Sequence, residues 1–279
     1  MFKVLYNPLA GHSDENQLKN SLKALVEDEL EFYNVTEIEN LQTFIDGFDK
    51  SDKVLLVGGD GTLNKFINAV DNIKNSVWYY AAGSGNDFWT DIGKKLGDAP
   101  VCIDEYLKDL PVVIIDGKEY KFINGVGYGI DGWCCEVADQ LKAKGKKVNY
   151  TSIAIKGLLF KFKPANATVT VDGVTKTYKR CWIAPTMNGR CYGGGMYATP
   201  AQDRLNEERK VSCCLMYKAG KIKTLMVFPS IFKGEHVKKT KQVEVLSGKQ
   251  VTVKFDKPVA AQIDGETILG VTEYTVKTK

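Results

Sequence analysis

The sequence predicts an α/β protein in two parts. A Rossmann-like, doubly wound domain covers residues 1–122, and a mostly antiparallel β domain covers residues 123–279. Three observations carry that expectation. Short apolar runs alternate with helical stretches as far as Ala81. A turn of three glycines around one carboxylate, Gly58-Gly59-Asp60-Gly61, follows directly on the apolar run Lys53–Val57. Beyond Val112, β-rich runs come in pairs joined by Asp-Gly.

Taken in order, Phe2–Tyr6 reads as a strand, and a helix from about Asp14 places Leu18, Leu22, Leu25 and Val26 on one stripe. Glu31–Val35 is a second strand, Leu41–Phe48 a short helix, and Lys53–Val57 a buried strand. After Thr62 a helix carries Phe66, Ile67 and Val70, and Val77–Ala81 is the next strand. This βαβα order implies a parallel sheet with its ligand at the carboxyl ends of the strands, so the loops after Tyr6, Val57 and Ala81 leave at one edge.

From Val112 the pattern changes. "VVIIDGKEYKF" and "TVTVDGVTKTYK" read as hairpins, and Lys210–Tyr217, Gln242–Leu246, Gln250–Phe255, Ala260–Ile263 and Glu273–Lys277 continue an antiparallel sheet. Helices are expected near Cys134–Ala143, Tyr150–Phe162 and Lys221–Phe232.

Composition narrows the classes. Hydrophobic residues make up 44% of the 279, enough for real cores. The net charge of +4 falls well short of a nucleic-acid-binding signature, so no nucleic-acid partner is expected. No run approaches the length of a transmembrane span, and the sequence opens on a strand rather than a signal peptide, which places the protein in the cytoplasm. Seven cysteines without a C-x-x-C pair read as free, mostly buried thiols. Two histidines, His12 and His236, leave little material for a His-based metal cluster or a Ser-His-Asp triad.

The glycine turn is the most informative stretch. Glycines let the backbone turn tightly and approach a ligand, and the amides at the following helix start form an anion site suited to phosphate. Asp60 would repel a bare phosphate. It makes sense if Mg²⁺ bridges it to phosphate oxygens or if it polarises an attacking hydroxyl, and equally if it caps a helix within a purely structural turn.

"GGDGTLN", preceded by "NPLAG" (Asn7 to Gly11) and followed by "AAGSGNDFW" (Ala81 to Trp89), resembles the diacylglycerol kinase catalytic-domain family, the bacterial lipid kinases related to sphingosine and ceramide kinases. "FINGVGYGIDG" (Phe122 to Gly132) and "QIDGETI" (Gln262 to Ile268) extend the resemblance over essentially the whole chain. It implies that Gly58, Gly59, Gly61 and Thr62 hold the phosphates of ATP, while Asn7, Gly83, Ser84, Asn86 and Asp87 line the nucleotide pocket in an interdomain cleft. It further implies catalytic roles for Asp60, Asp264 and Glu266, with Glu266 as general base toward a lipid hydroxyl and Asp131 orienting the carboxylates. ATP and Mg²⁺ would be the cofactors, and the partner a lipid substrate at the membrane surface.

One stretch departs from the family. Where relatives carry a Pro-x-Ala…Asp-Gly-x-Leu-Asp loop for a structural Mg²⁺, this chain reads "TPAQDRLNEERKVSCC", with Asp203 the candidate substitute, so the metal ligands are left unassigned. In Thr151–Pro164, apolar residues mixed with Lys156, Lys161 and Lys163 fit a core helix with lysines at its rim, and also an interfacial membrane contact. Gly193-Gly194-Gly195 reads as a turn beside the site, and an exposed edge strand offers a route to a homodimer. NAD kinase, which shares the Gly-Gly-Asp-Gly-Thr turn, and a non-catalytic nucleotide- or lipid-binding regulator are the alternatives.

Overall fold

A computed structural model of the chain describes residues 1–8, 15–83 and 85–279. Ser84, His12 and the Leu9–Gly11 part of the first motif lie outside the described residues. The chain divides into two compact units, Met1–Lys108 and Asp109–Lys279.

The first unit runs β1 (Phe2–Tyr6), α1 (Glu15–Leu25), β2 (Leu30–Asn34), α2 (Leu41–Asp46), β3 (Lys53–Gly58), α3 (Asp60–Ala69), β4 (Ser76–Ala81), α4 (Asp87–Asp91), β5 (Val101–Cys102) and α5 (Asp104–Leu107). Its sheet has the order β2-β1-β3-β4-β5, parallel apart from the last pair. Among these strands β3 is the most apolar, and Val54 to Val57 are all buried, as expected of a central parallel strand covered on both faces. Leu18 and Leu22 of α1 pack against Phe2, Val4, Leu55 and Val57, with Val26 at the edge of that cluster. Leu25, the last residue of the helix, is exposed. Helix α2 starts where the Asn40 side chain accepts the Thr43 N–H at 2.9 Å, a standard N-cap.

The helix expected after Thr62 begins three residues earlier, at Asp60, so Thr62 lies in its first turn. Strand β5 and helices α4 and α5 are too short for a periodic pattern to reveal them.

The second unit runs β6 (Val112–Ile115), β7 (Lys118–Lys121), β8 (Gly125–Tyr128), α6 (Ile130–Ala143), α7 (Tyr150–Lys156) with a π-helical turn at Gly157–Lys161, β9 (Ala165–Val171), β10 (Val174–Cys181), β11 (Thr186–Met187) and β12 (Val211–Met216). It continues with α8 (Lys221–Val227), 3₁₀ turns at Phe228–Lys233 and Glu235–Lys238, β13 (Val243–Gly248), β14 (Gln250–Ile263) and β15 (Glu266–Lys277). The hairpin β6–β7, which the pattern change leaves before residue 122, pairs through β6 with β15 and so belongs to this unit.

The two Asp-Gly hairpins form as the sequence predicts, with Asp116-Gly117 and Asp172-Gly173 all at positive φ. The two runs Gln250–Phe255 and Ala260–Ile263 are one strand, β14, bent by register shifts between Lys254 and Ala261. β14 pairs with β15, β8 and β9, and Val251, Val253, Phe255, Ala261 and Ile263 bury their side chains in the core. Helix α6 begins at Ile130, before the expected Cys134, and packs on β14 through Gly132. A Cβ at Gly132 would overlap the Ala260 carbonyl, so the close approach of helix and strand requires glycine there.

Candidate functional site

In the first unit, β1, β3 and β4 are in register at their carboxyl ends, with Tyr6 beside Val57 and Gly58 beside Ala81. Asn7, the glycine turn and the Ala82–Asp87 loop therefore all leave the same sheet edge. The turn and the loop touch backbone to backbone. A Cβ on Gly59 would lie 2.9 Å from the Gly85 oxygen and 3.1 Å from Gly83 Cα, and one on Gly83 would overlap Gly59 Cα. The Ala82 N–H donates to Gly58 O at 2.9 Å, and the buried Tyr79 hydroxyl donates to the same oxygen at 2.9 Å.

This contact explains the carboxylate among the glycines. Asp60 is buried at the first residue of α3, where its Oδ2 accepts the Asp87 N–H at 2.8 Å and its Oδ1 accepts the Phe88 N–H at 3.0 Å. Both N–H groups belong to the first turn of α4, which has no cap from its own Asn86. Asp60 thus ties the glycine turn to the second loop of the predicted nucleotide pocket, and burial, with the Asp60 charge a smaller contribution, holds the Tyr79 phenol well above its ordinary range.

At the start of α3 the Asp60 N–H donates to Gly85 O at 3.4 Å, and the Thr62 and Leu63 N–H groups donate to Gly59 O at 3.0 and 3.2 Å. Gly59 is its N-cap and supplies no side-chain cap. Thr62 folds back over Gly58, where a Cβ would collide with its side chain. In the neighbouring loop the Asn86 Nδ2 donates to Gly83 O at 2.7 Å, while the buried Asn86 Oδ1 has no hydrogen-bond partner among the described residues. An uncapped helix start and a spare buried acceptor fit an anionic nucleotide with hydroxyl and amino donors.

In the second unit, Asp264 and Gly265 form the two-residue turn between β14 and β15, at φ 47° and 97°, with Ile263 paired to Glu266. The buried Asp264 carboxylate reaches back to the Phe122–Gly127 stretch. Oδ2 accepts the Ile123 N–H at 2.7 Å, and Oδ1 accepts those of Asn124 and Gly125, each at 2.9 Å. The same stretch is held from its carbonyl side: Ile123 O accepts from Asn188 Nδ2 at 3.0 Å and Arg204 Nη1 at 3.1 Å, and Arg204 Nη2 donates to Asn124 Oδ1 at 3.2 Å. Glu266 is exposed at the start of β15.

Asp131 stands in the first turn of α6. Its Oδ2 accepts the Tyr192 hydroxyl at 3.0 Å, Oδ1 has no partner among the described residues, and burial pushes the carboxyl up to about 6. Gly127 makes room for it: a Cβ there would overlap both Asp131 Oδ2 and Gln262 Nε2. Gln262 in turn accepts the Gly265 N–H at 2.6 Å and so braces the Asp264 turn.

Sequence reasoning missed Arg204, Asn188 and Gln262. Gln262 lies in the quoted "QIDGETI" motif, but Arg204 and Asn188 carry no motif signal. Arg204 sits in the loop that departs from the family pattern, and that loop is organised by its own polar groups. Asp203 Oδ1 accepts the Leu205 N–H at 2.9 Å, and Gln202 and Asn206 donate to Asp203 O. No group of three or more His, Cys, Asp or Glu is placed to hold a metal ion among the described residues. Asp60 and Asp264, the carboxylates in the two motif turns, have both oxygens engaged by backbone donors and do not fit bare ligands for Mg²⁺.

All seven cysteines are free thiols; Cys102 is exposed and Cys135 half-buried, and burial pushes the Cys135 thiol up to about 12. His236 is buried, with Nε2 3.0 Å from Ala198 O. No helix among the described residues is long and apolar enough to cross a membrane.

Residues 1–114 match the family model of the diacylglycerol kinase catalytic domain, and residues 124–277 match that of the YegS C-terminal NAD kinase beta sandwich-like domain. A diacylglycerol kinase of Mycobacterium tuberculosis is 24% identical over 194 residues, 67% of this chain. The match spans 62% of that enzyme's own length. YtlR of Bacillus subtilis, a protein with a lipid-kinase name, is 22% identical over 302 residues, 97% of this chain and 94% of its own. Among solved structures, a diacylglycerol kinase of Bacillus anthracis has a TM-score of 0.64 at 16% identity, covering 99% of this chain and 93% of its own. A yeast NADH kinase has a TM-score of 0.51 at 10% identity, covering 100% of this chain and 78% of its own. At such identities the likeness establishes the fold.

Proposed function

Since the chain belongs to the diacylglycerol kinase catalytic-domain family, we propose that it transfers the γ-phosphoryl group of ATP to the hydroxyl of a lipid such as diacylglycerol, at a membrane surface. The observation that carries this reading is the Asp60 carboxylate bridging the glycine turn to the first turn of α4. That bridge fixes an uncapped helix start beside the loop with the spare Asn86 acceptor, an arrangement suited to a triphosphate.

In this reading Gly58, Gly59, Gly61 and Thr62 receive the phosphates, and Asn7, Gly83, Ser84, Asn86 and Asp87 border the nucleoside. ATP enters as its magnesium complex, the substrate form, which neutralises phosphate charge. Asp60 and Asp264 act as positioning residues, because their oxygens are engaged by backbone amides.

Glu266 serves as the base. The lipid oxygen forms a bond to the γ-phosphorus, the bond to the β-phosphate oxygen breaks, ADP leaves, and the hydroxyl proton passes to the Glu266 carboxylate. Such a transfer has a loose transition state, so in-line positioning and charge neutralisation supply most of the acceleration. Gln262, which accepts the Gly265 N–H, keeps the turn before Glu266 in place.

The test is incubation of the purified chain with labelled ATP and either a total lipid extract or NAD, followed by chromatography. Label in a lipid band supports the proposal. Label only in NADP would replace it with an NAD kinase, and no transfer to either would leave a binding protein.

A further inference from the structure

The segment Thr151–Pro164 divides sharply between inside and outside. Ile153, Leu158 and Phe162 are buried, with Phe162 against Trp133 and Trp182 at ring separations of 6.2 and 6.1 Å, and Gly157 packs on the Trp133 ring. Those anchors fill the interior, yet Phe160 is 73% and Ile155 44% exposed. Phe160 lies in the π-helical turn, where the Phe162 N–H bonds back to Gly157 O at 2.9 Å, a five-residue step.

Helix α8 packs beside this turn, where Lys221 Nζ donates to Leu159 O at 2.9 Å. Phe160 and Ile222 are the next residues along the two segments. Ile222 is 75% exposed and Met226, one turn further on the same helix face, is 76% exposed. Phe232, in the following 3₁₀ turn, is 46% exposed. Large apolar side chains exposed on two adjacent elements form a patch that a solvated monomer has no reason to keep.

The two segments that carry it are basic in sequence. Residues 144–164 hold six lysines and no Asp or Glu, and residues 217–233 hold four lysines and none, in a chain whose net charge is only +4. We infer that the face formed by the 157–161 turn and α8 seats on an anionic lipid bilayer, with Phe160, Ile222 and Met226 entering the headgroup region and the lysines meeting lipid phosphates. A second copy of this chain would oppose lysine to lysine, so the charge pattern argues against self-association through this face. The inference rests on the reading of a lipid acceptor, and it supplies what that reading lacks, a means of meeting a substrate that stays in the membrane.

The full chain is sedimented with vesicles of phosphatidylcholine alone, and of phosphatidylcholine mixed with phosphatidylglycerol. Wild-type protein is expected to bind the mixed vesicles about tenfold or more tightly, with binding falling as salt is raised. Phe160→Ser and the double variant Ile222→Ser with Met226→Ser, at exposed positions, are expected to keep the wild-type melting temperature and lose about tenfold or more of the vesicle affinity. The variants are also assayed on a short-chain acceptor dissolved without vesicles, where their turnover should equal wild type.

Variants that bind mixed vesicles like wild type would overturn the docking face, whatever the kinase assay gives. A wild-type dimer that the variants dissolve, with no vesicle binding, would assign the face to a second copy and overturn it too. Vesicle binding that the variants lose, in a chain that phosphorylates nothing, would sustain the docking face and remove the kinase reading.

Discussion

The Asp264 carboxylate accepts the N–H of Ile123 at 2.7 Å, across 141 residues of sequence. With the N–H groups of Asn124 and Gly125 on its other oxygen, it holds the start of β8 against the β14–β15 turn. Asp264→Asn would aim an amide NH₂ at one of these buried donors. The expected loss is about 3 kcal/mol of unfolding free energy, read as a lower urea midpoint at unchanged slope. A variant as stable as wild type would show that the three hydrogen bonds contribute nothing net.

Asp60→Asn places the same mismatch between the glycine turn and α4. On the proposed reading, ATP affinity is expected to drop by about tenfold or more, with kcat falling further, because the two loops assigned to the nucleotide lose their shared anchor. Equilibrium binding of a fluorescent ATP analogue measures the first effect. Unchanged affinity would return Asp60 to a turn with no part in nucleotide binding.

Glu266→Gln keeps size and removes basicity at an exposed position. Phosphoryl transfer to lipid should fall by roughly 10²–10⁴ while ATP affinity stays within a few fold, since the base acts on the acceptor. Lipid turnover at the wild-type rate would take Glu266 out of its proposed role.

Asp131 predicts a pH signature. Its carboxyl lies at about 6 instead of 3.8, so between those values the folded protein keeps a proton that the unfolded chain has released. This contribution is fully present below about pH 4 and declines as pH rises toward 6, by at most about 3 kcal/mol. Asp131→Asn should flatten that decline in urea titrations run across the window. An identical slope in the variant would assign the decline to other groups.

The fold was legible where burial repeats with a period. β1, β3, β4 and the Asp-Gly hairpins follow from apolar runs and turn chemistry, and each forms close to its expected bounds. What stayed hidden is short or non-local. β8 and β11 are four and two residues long, and β8 is half glycine, so neither carries an alternating pattern. The candidate site was legible as motifs, because glycines and acids cluster in sequence. The jobs of Asp60 and Asp264 were not, since their partners lie 27 and about 140 residues away in the chain. Arg204 was invisible for the same reason, as only the fold brings it to Ile123 and Asn124.

β14 is at once the strand that closes the second core and the arm that ends at Asp264. Its inner residues cannot be exchanged to retune chemistry at the tip without loosening the interior. On the proposed reading, variation in acceptor preference among relatives is therefore expected to accumulate outside that strand, for example in the glycine run 193–195, all three at positive φ. If the proposed lipid acceptor holds, engineering of its preference should begin there, leaving the beam alone.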